Sequence, residues 1–499
     1  MLKGFMRKTK PLELLTEDQL EAIHRGAMAV LETTGVEVQH NKALKLLAGN
    51  GCKVDFEEKR VRMPAGLVED CLRRCPSGYT IKARDPKYDV RIGGNTLYFV
   101  QGMGMRYVDL DTGEFRAATL EEKREAMIVG DALENIHVAD GYEFYTDIVG
   151  VPPVMVFLEG LACGLRNSVK AEHFGYQRDC EVFAIKMAQE LGISIDAEID
   201  IASPLTFYSE AVEAIYRFAE AGFGVHACPS ASPGATGPAT IAGTLISQHA
   251  ETAAFIVIAQ LIKPGAPVIV EYSGPILHMK GGHPITGTTH NAMVNLAYAQ
   301  LYRKWGIPIG TVSGFSCNSK KIDFQCSYEK ALATLMSCLG GSNLHVLQGG
   351  LAEELAFSPV LSILDDDMAG WIGHAIEGFE ITDETMAIDL INEVGVIPGT
   401  FMDKEHTRKW WVKERFIPKA ADMEAYPEWI KKGKVDALTL AKKRMEEILA
   451  THKPKPLTPR EEQVIEDVMK EAREYYKRKG LISDEEWAIY MKTLASLPS

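Results

Sequence analysis

The 499-residue sequence predicts an α/β protein, a (β/α)8 TIM barrel with an N-terminal α+β elaboration and a C-terminal helical extension. Short apolar runs rich in branched residues, at 136–144, 169–174, 199–202, 224–228, 267–272, 307–312 and 343–347, alternate with stretches of helical period. A weaker eighth run lies at 360–364. Within 306–357 the order strand, polar loop, helix, Gly-Gly, strand, Gly-Gly spells out one complete β-α-β unit. No G-x-G-x-x-G follows any of the strands and no P-loop is present, which weighs against an open, doubly wound nucleotide-binding sheet.

In chain order, Leu20, Ile23, Ala27, Val30 and Leu31 recur at helical spacing, and Thr16 before Glu17 and Asp18 supplies a start. Residues 97–116 read as a hairpin turning at Asp111-Thr112-Gly113. Thr119 with Glu122 is a capping box for a helix reaching about residue 133. Residues 1–133 are therefore expected to form the elaboration, 134–376 the barrel and 377–499 the extension. Barrel helices are expected at 156–165, 180–191, 209–221, 238–262, 291–305 and 325–339. Beyond Trp371 a segment holding Trp410, Trp411, Tyr426 and Trp429 leads to charged surface helices linked through Pro454, Pro456 and Pro459.

Composition sets outer limits. At 46% hydrophobic and 24% charged the chain is that of a globular protein, and a net charge of -14 argues against nucleic acid or an anionic membrane as partner. Nine scattered cysteines without a C-x-x-C pair suit reduced thiols in a cytoplasm. The amino terminus lacks the apolar core of a secretory signal. The greasiest run, 253–262, is about half a membrane span and is expected to be a buried helix.

Chemistry in such barrels gathers on the loops after the strands. Those of the 306–357 unit carry Ser313, Phe315, Ser316, Asn318, His345, Gln348 and Glu353. Cys317, Cys326, Cys338 and His345 offer zinc-ligand chemistry, but their spacing matches no compact site and buried thiols are the plainer expectation. Asp365-Asp366-Asp367 read as a helix start rather than a cation site. His226 is placed at a strand end, and His278, His283 and His290 in the loop after Tyr272. Tyr142, Phe144, Tyr145, Phe174, Tyr176, Phe207, Tyr272, Phe315 and Phe357 lie near strand ends, where ring faces together are able to cage a quaternary ammonium.

Several longer runs carry a resemblance. SCNSKKIDFQCSYEKALATLMSCLGGSNLH, HTRKWWVKERFIPK, YPEWIKKGKVDAL, ILATHKPKPL and, earlier, VDLDTGEFRAATLEEKREAMIVGDALENI resemble the trimethylamine methyltransferase family, in order and across nearly the whole chain. The resemblance implies a barrel that moves a methyl group from a methylamine to the cobalt of a separate corrinoid protein. With only the twenty standard residues present, the chain is similar to the group lacking pyrrolysine, which includes glycine betaine, proline betaine, carnitine and butyrobetaine methyltransferases.

A quaternary substrate fits that absence. Co(I) attacks the methyl carbon in line, a neutral tertiary amine leaves without needing a proton, and catalysis becomes mainly positioning. The expected substrate-binding set is Tyr142, Phe144, His226, Tyr272, Phe315, Asn318, His345, Gln348, Glu353 and Phe357, with His226, His345, Gln348 and Asn318 as anchors for a betaine carboxylate. The chain itself is expected to hold no tight cofactor or metal, the corrinoid (cobalamin) being carried by a cognate partner, and a homo-oligomer suits a barrel of this size. The alternatives are a zinc-dependent methyltransferase acting on a thiol or methanol, and a quaternary-amine binding protein without catalysis.

Overall fold

The computed structural model describes residues 3–140, 144–272, 274–312 and 314–496. Eight parallel strands enclose one interior: β1 (Thr96–Gln101), β2 (Val138–Asp140), β3 (Ala171–Phe174), β4 (Ile195–Ile201), β5 (Val225–Pro229), β6 (Val268–Val270), β7 (Gly310–Thr311) and β8 (Leu344–Gln348). Neighbours pair in that order and β8 returns to β1; a parallel bridge from Val270 to Ile309 joins β6 to β7 and closes the barrel. A helix follows each strand: α1 (Leu120–Ala132), α2 (Val156–Asn167), α3 (Cys180–Leu191), α4 (Ser209–Ala221), α5 (Ile241–Ile262), α6 (Thr289–Arg303), α7 (Phe324–Gly340) and α8 (Pro359–Glu377).

Two expectations about the strands are corrected. The run at 360–364 is not the eighth strand but the first turns of α8, where Pro359 opens the helix and Ser358 caps it through the Leu361 amide. The missing strand is β1, which lies in the first half of the expected hairpin and before residue 134. Four apolar and aromatic residues, Leu97, Tyr98, Phe99 and Val100, buried on both faces carry no alternation to mark a barrel strand, so the segment reads as part of a hairpin. The second half of that hairpin does form, Arg106–Val108 against Phe115–Arg116, with the Asp109 carboxylate accepting from the Asp111 and Thr112 amides in the turn.

The capping box at Thr119 and Glu122 is present, and the first long helix, Glu17–Thr33, starts at Thr16 with a capping box to Gln19. It packs, with helix Ala65–Arg74, on α5, whose greasy centre is thereby buried. Among the described residues α5 alone is long and apolar enough to cross a membrane, and 78% of its most apolar window lies inside the protein. A hairpin, Gly78–Ile81 with Val90–Gly93, plugs the N-terminal end of the barrel, where Ile81, Val90 and Ile92 pack with Tyr98, Val138, Ile269 and Leu344. Helices Ala437–Thr451 and Pro459–Arg478 pack on α8, α1, α2 and α3.

Candidate functional site

Strand β4 reads Ile-Asp-Ala-Glu-Ile-Asp-Ile, acid and apolar in strict alternation. Ile195, Ala197, Ile199 and Ile201 join the core under the surrounding helices, so the pleat turns Asp196, Glu198 and Asp200 to the barrel interior. On β5 the same rule buries Val225 and Ala227 outward and leaves His226 and Cys228 inward. Glu271, just past β6, is in phase with inward Ile269. Gly310 on β7 makes room for it, since a Cβ there would stand 2.0 Å from Glu271 Oε1.

These side chains form tiers. At the bottom His226 lies between Asp196 (Nε2 to Oδ2, 3.3 Å) and Glu271 (Nδ1 to Oε1, 3.5 Å), edge-on to His173, while the Tyr79 hydroxyl from the plug donates to Asp196. Burial opposes a charge on His226, but Glu271 and Asp196 outweigh it and carry its pKa up to about 9. Above it the Cys228 thiol donates to Glu271 Oε2 at 3.4 Å, with Glu198 beside it. Burial, then Asp200 and Glu271, hold the Glu198 carboxyl well above the usual carboxylate range.

The top tier is a cavity of about 670 Å³ at the C-terminal ends of the strands. Its lining includes Glu198, Asp200, Glu353 and Glu354, the rings of Phe157, Phe174 and Tyr176, and Met103 and Met105; among the described residues no lysine, arginine or histidine belongs to it. Burial and then Glu271 raise the Asp200 pKa, and burial and then Asp200 push Glu354 up to about 7. Glu353 and Glu354 come from a turn in which three successive non-glycine residues are left-handed: Ala352 (φ 53°), Glu353 (φ 58°) and Glu354 (φ 78°). Each such residue costs about 1–2 kcal/mol. The loop after β7 holds the turn in place: the amides of Ala352, Glu353 and Glu354 donate to Ser319 O, Cys317 O and Ser316 Oγ.

A narrow polar recess adjoins the cavity, sharing Pro275 and Thr286 with it and lined further by Tyr272, Asn291, Asn295 and Phe315. The Thr286 hydroxyl and the Asn295 side-chain oxygen are buried there without a hydrogen-bond partner. The recess has room for about one water molecule, so a cation and its tail belong in the charge-bearing cavity and the recess adds a polar wall beside it.

The expected site residues divide accordingly. Glu353 lines the cavity, paired at 2.8 Å with exposed Lys320, and Tyr272 and Phe315 line the recess. Asn318 ties the recess wall, bonding both the amide and the carbonyl of Thr286. His226 lies two tiers below the cavity. Phe144 and Phe357 do not face it: their rings stack on each other at 4.2 Å, and Lys123 Nζ sits 3.5 Å over Phe144, so this aromatic pair already holds a cation of its own. His345 points outward, with Thr311 and Thr334 on its two ring nitrogens, and Gln348 is buried against the Asn135 carbonyl. Tyr142 and Ser313 lie outside the described residues.

The proposed helix-start aspartates are also corrected. They occupy the middle of α8, where Asp365 accepts from the Gly349 amide and pairs with Lys330, Asp366 caps Asn135, and Asp367 holds the amides of Lys419 and Ala420. Cys317 and Cys326 are neighbours, while Cys338 is packed near Arg7, so the four-residue zinc set does not assemble. Among the described residues, the groups whose donors converge within 4.8 Å are His173–Asp196–His226 and Glu198–Cys228–Glu271. Sequence reading missed Glu198, Asp200 and Glu354. The first two had a signal in the alternation of β4, acids on the face that a helix-wrapped barrel must turn inward.

The fold is a closed parallel barrel, and its candidate site is the acidic and aromatic cavity at the C-terminal strand ends. The trimethylamine methyltransferase (MTTB) family profile matches residues 1–476, and the chain belongs to that family. It is 32% identical to a glycine betaine methyltransferase of Desulfitobacterium hafniense (strain Y51), over 89% of this chain and 94% of the relative. It is 29% identical to a trimethylamine methyltransferase of Desulfitobacterium hafniense (strain DSM 10664 / DCB-2), covering 92% and 94%, and 27% identical to one of Methanosarcina thermophila, covering 89% and 94%. The chain is accordingly a methyltransferase of the methylamine and betaine group.

Proposed function

We propose that this chain transfers a methyl group from a quaternary amine of the betaine type to a reduced corrinoid carried by a separate protein. The observation that carries the reading is the cavity lining, four carboxylates and three aromatic rings with no basic side chain among the described residues. A permanent cation is what such a wall favours, through ring faces and through carboxylates that burial has left short of counter-charge. A small amine does not fill about 670 Å³, which leaves space at the mouth for the face of the methyl acceptor. The reduced corrinoid supplies the nucleophile that takes the methyl group; no residue of this chain is assigned to hold it.

The chain's own work is then orientation. Phe157, Phe174 and Tyr176 surround the ammonium, Asp200 and Glu354 balance its charge, and the tail lies along the cavity wall at Ser230 and Thr286. Among the described lining residues the tail has no arginine or lysine to meet, so a betaine carboxylate is received by neutral donors such as the Ser230 and Thr286 hydroxyls. Substrate charge disappears as the amine leaves, so carboxylates held too close would stabilise the ground state over the transition state. Glu354, with its pKa pushed up to about 7, is partly protonated near neutral pH, which limits that penalty.

The test is the visible spectrum of a reduced corrinoid protein mixed with this chain and glycine betaine, proline betaine, carnitine, butyrobetaine or trimethylamine in turn. Conversion to the methylated corrinoid with one compound is the expected result and names the substrate; no conversion with any of them defeats the reading. A second reading, zinc-dependent transfer from a thiol or methanol, is favoured by one observation only. Glu198, Cys228 and Glu271, from three successive strands, bring a thiol and two carboxylates together beneath the cavity. It requires stoichiometric zinc in the purified protein that Cys228→Ser abolishes.

A further inference from the structure

Helix α6 carries two asparagines, Asn291 and Asn295, four residues apart and therefore on one face. Both are buried, at 6% and 2% exposure, and both line the recess beside the cavity. Asparagine suits a buried helix face poorly, because its amide needs partners there and competes with the backbone for them. Asn291 finds partners for both ends. Its Oδ1 accepts from the Thr288 hydroxyl and its Nδ2 donates to the Gly274 carbonyl, which ties the start of the helix to the loop after β6.

Asn295 finds a partner for one end only. Its Nδ2 donates to the Asn291 carbonyl at 3.0 Å, which fixes the amide with Oδ1 turned the other way, and Oδ1 is left unpaired. Thr286, in the loop after β6, lines both the recess and the cavity and is 5% exposed. Its backbone is held on both sides, the amide donating to Asn318 Oδ1 at 3.0 Å and the carbonyl accepting from Asn318 Nδ2 at 2.6 Å, while its hydroxyl oxygen is unpaired as well. A buried polar atom without a partner costs about 1–3 kcal/mol. Two of them at one recess point to a shared partner that is not part of the chain. At about 10 Å³ the recess admits one water molecule and nothing larger, and a water has two hydrogens to give to two oxygens.

We infer that the recess holds one water through which Asn295, a positioning residue, turns the Thr286 hydroxyl toward the substrate's tail and so favours an ammonium that carries a carboxylate over one that lacks it. The inference rests on the quaternary-amine reading of the cavity. Asn295 Oδ1 only accepts, so the water gives it one hydrogen and gives the other to Thr286 Oγ1. The Thr286 O–H then donates away from the recess, toward the cavity that the residue also lines. Among carboxylates that repel a betaine tail, a donor already turned toward it binds better than one that must first be ordered.

Glycine betaine and tetramethylammonium test this, because they share the trimethylammonium group and differ only by the carboxylate. Calorimetry on the full chain gives both affinities for wild type, Asn295→Leu, Thr286→Val and the double variant, leucine and valine being the nearest apolar shapes. Asn295→Leu is expected to weaken glycine betaine about tenfold, the effect of one hydrogen bond to a charged group, and to leave tetramethylammonium within about twofold. Thr286→Val is expected to do the same, and the double variant to lose no more than Thr286→Val, since Asn295 acts only through that hydroxyl. Thr286→Ser, which keeps the hydroxyl, is expected to keep the wild-type ratio of the two affinities. Equal losses for both ligands, which a purely structural asparagine gives, overturn the inference, as do additive losses in the double variant or glycine betaine affinity that neither substitution moves. A wild type that binds neither ligand defeats the reading of the cavity, and the inference falls with it. If Asn295→Leu does not fold, crystals of the wild-type chain decide: one water within hydrogen-bond reach of both Asn295 and Thr286 is expected, and an alkali ion or no ordered solvent there overturns the inference.

Discussion

The barrel interior is divided between two chemistries. From β8, β1 and β2 the inward side chains are Leu344, Val346, Tyr98, Val100 and Val138, packed on the plug hairpin. From β4, β5 and just beyond β6 they are Asp196, Glu198, Asp200, His226, Cys228 and Glu271. The first half closes the barrel by burying apolar surface; the second gives up that gain and must keep its charges paired or protonated. It does both, with His226 held between two carboxylates and the acids above it raised in pKa. The contrast locates function: the half that spends stability on buried acids is the half beneath the cavity.

The largest effect separating the halves is expected from Glu271→Ala, which leaves the buried imidazolium of His226 with one partner. Removing one member of a buried ion pair costs about 3–5 kcal/mol, read as a lower urea midpoint. The pH dependence follows the same pair. Because the folded pKa of His226 is raised to about 9, its contribution is complete below the ordinary histidine value and is lost as pH rises through 9. Wild-type stability should therefore fall between pH 6.5 and 9 by more than that of Glu271→Ala.

A smaller but sharper distinction comes from Leu344→Ala against Asp200→Asn. Truncating Leu344 should cost about 2–5 kcal/mol in stability and leave the affinity for tetramethylammonium unchanged in calorimetry. Asp200→Asn should do the reverse, weakening that affinity about ten- to hundred-fold with no loss of stability, since it removes one charge from a wall of like charges. Equal effects of the two on binding would erase the proposed division.

The smallest expected effect is on the pH profile of binding. Glu354, with its pKa pushed up to about 7, is largely neutral below that pH, and a bound cation favours its ionised form. Affinity for tetramethylammonium should rise as pH increases through 7, with proton release on binding, and Glu354→Gln should flatten the rise. A profile that is flat in the wild type would remove Glu354 from the cation's surroundings.

Much of this was legible in the sequence. The repeated strand and helix periods gave the barrel, Thr16 before two acids and the capping box at Thr119 marked two helix starts, and the β-α-β unit at 306–357 appears as β7, α7 and β8. That unit did not turn out to hold the candidate site by itself. Of its expected contacts, His345 and Gln348 serve packing, while Ser316 and Cys317 act by anchoring the strained turn that carries Glu353 and Glu354. The acids of β4 were overlooked because only the second half of that strand was recognised, which hid their alternation.

What the sequence determined by itself was therefore what local periodicity controls: which segments are strands or helices, that they alternate, and, through extended runs spread along the chain, which family they belong to. The tertiary structure decided which residues share a space. Whether Phe144 faces a substrate or Lys123 depends on where a distant helix places that lysine, and whether Glu198, Cys228 and Glu271 meet depends on the register of three strands that are far apart in sequence. Side-chain direction alternates with every residue along a strand, so an error of one position in register exchanges core for cavity. Only closure of the barrel fixes that register.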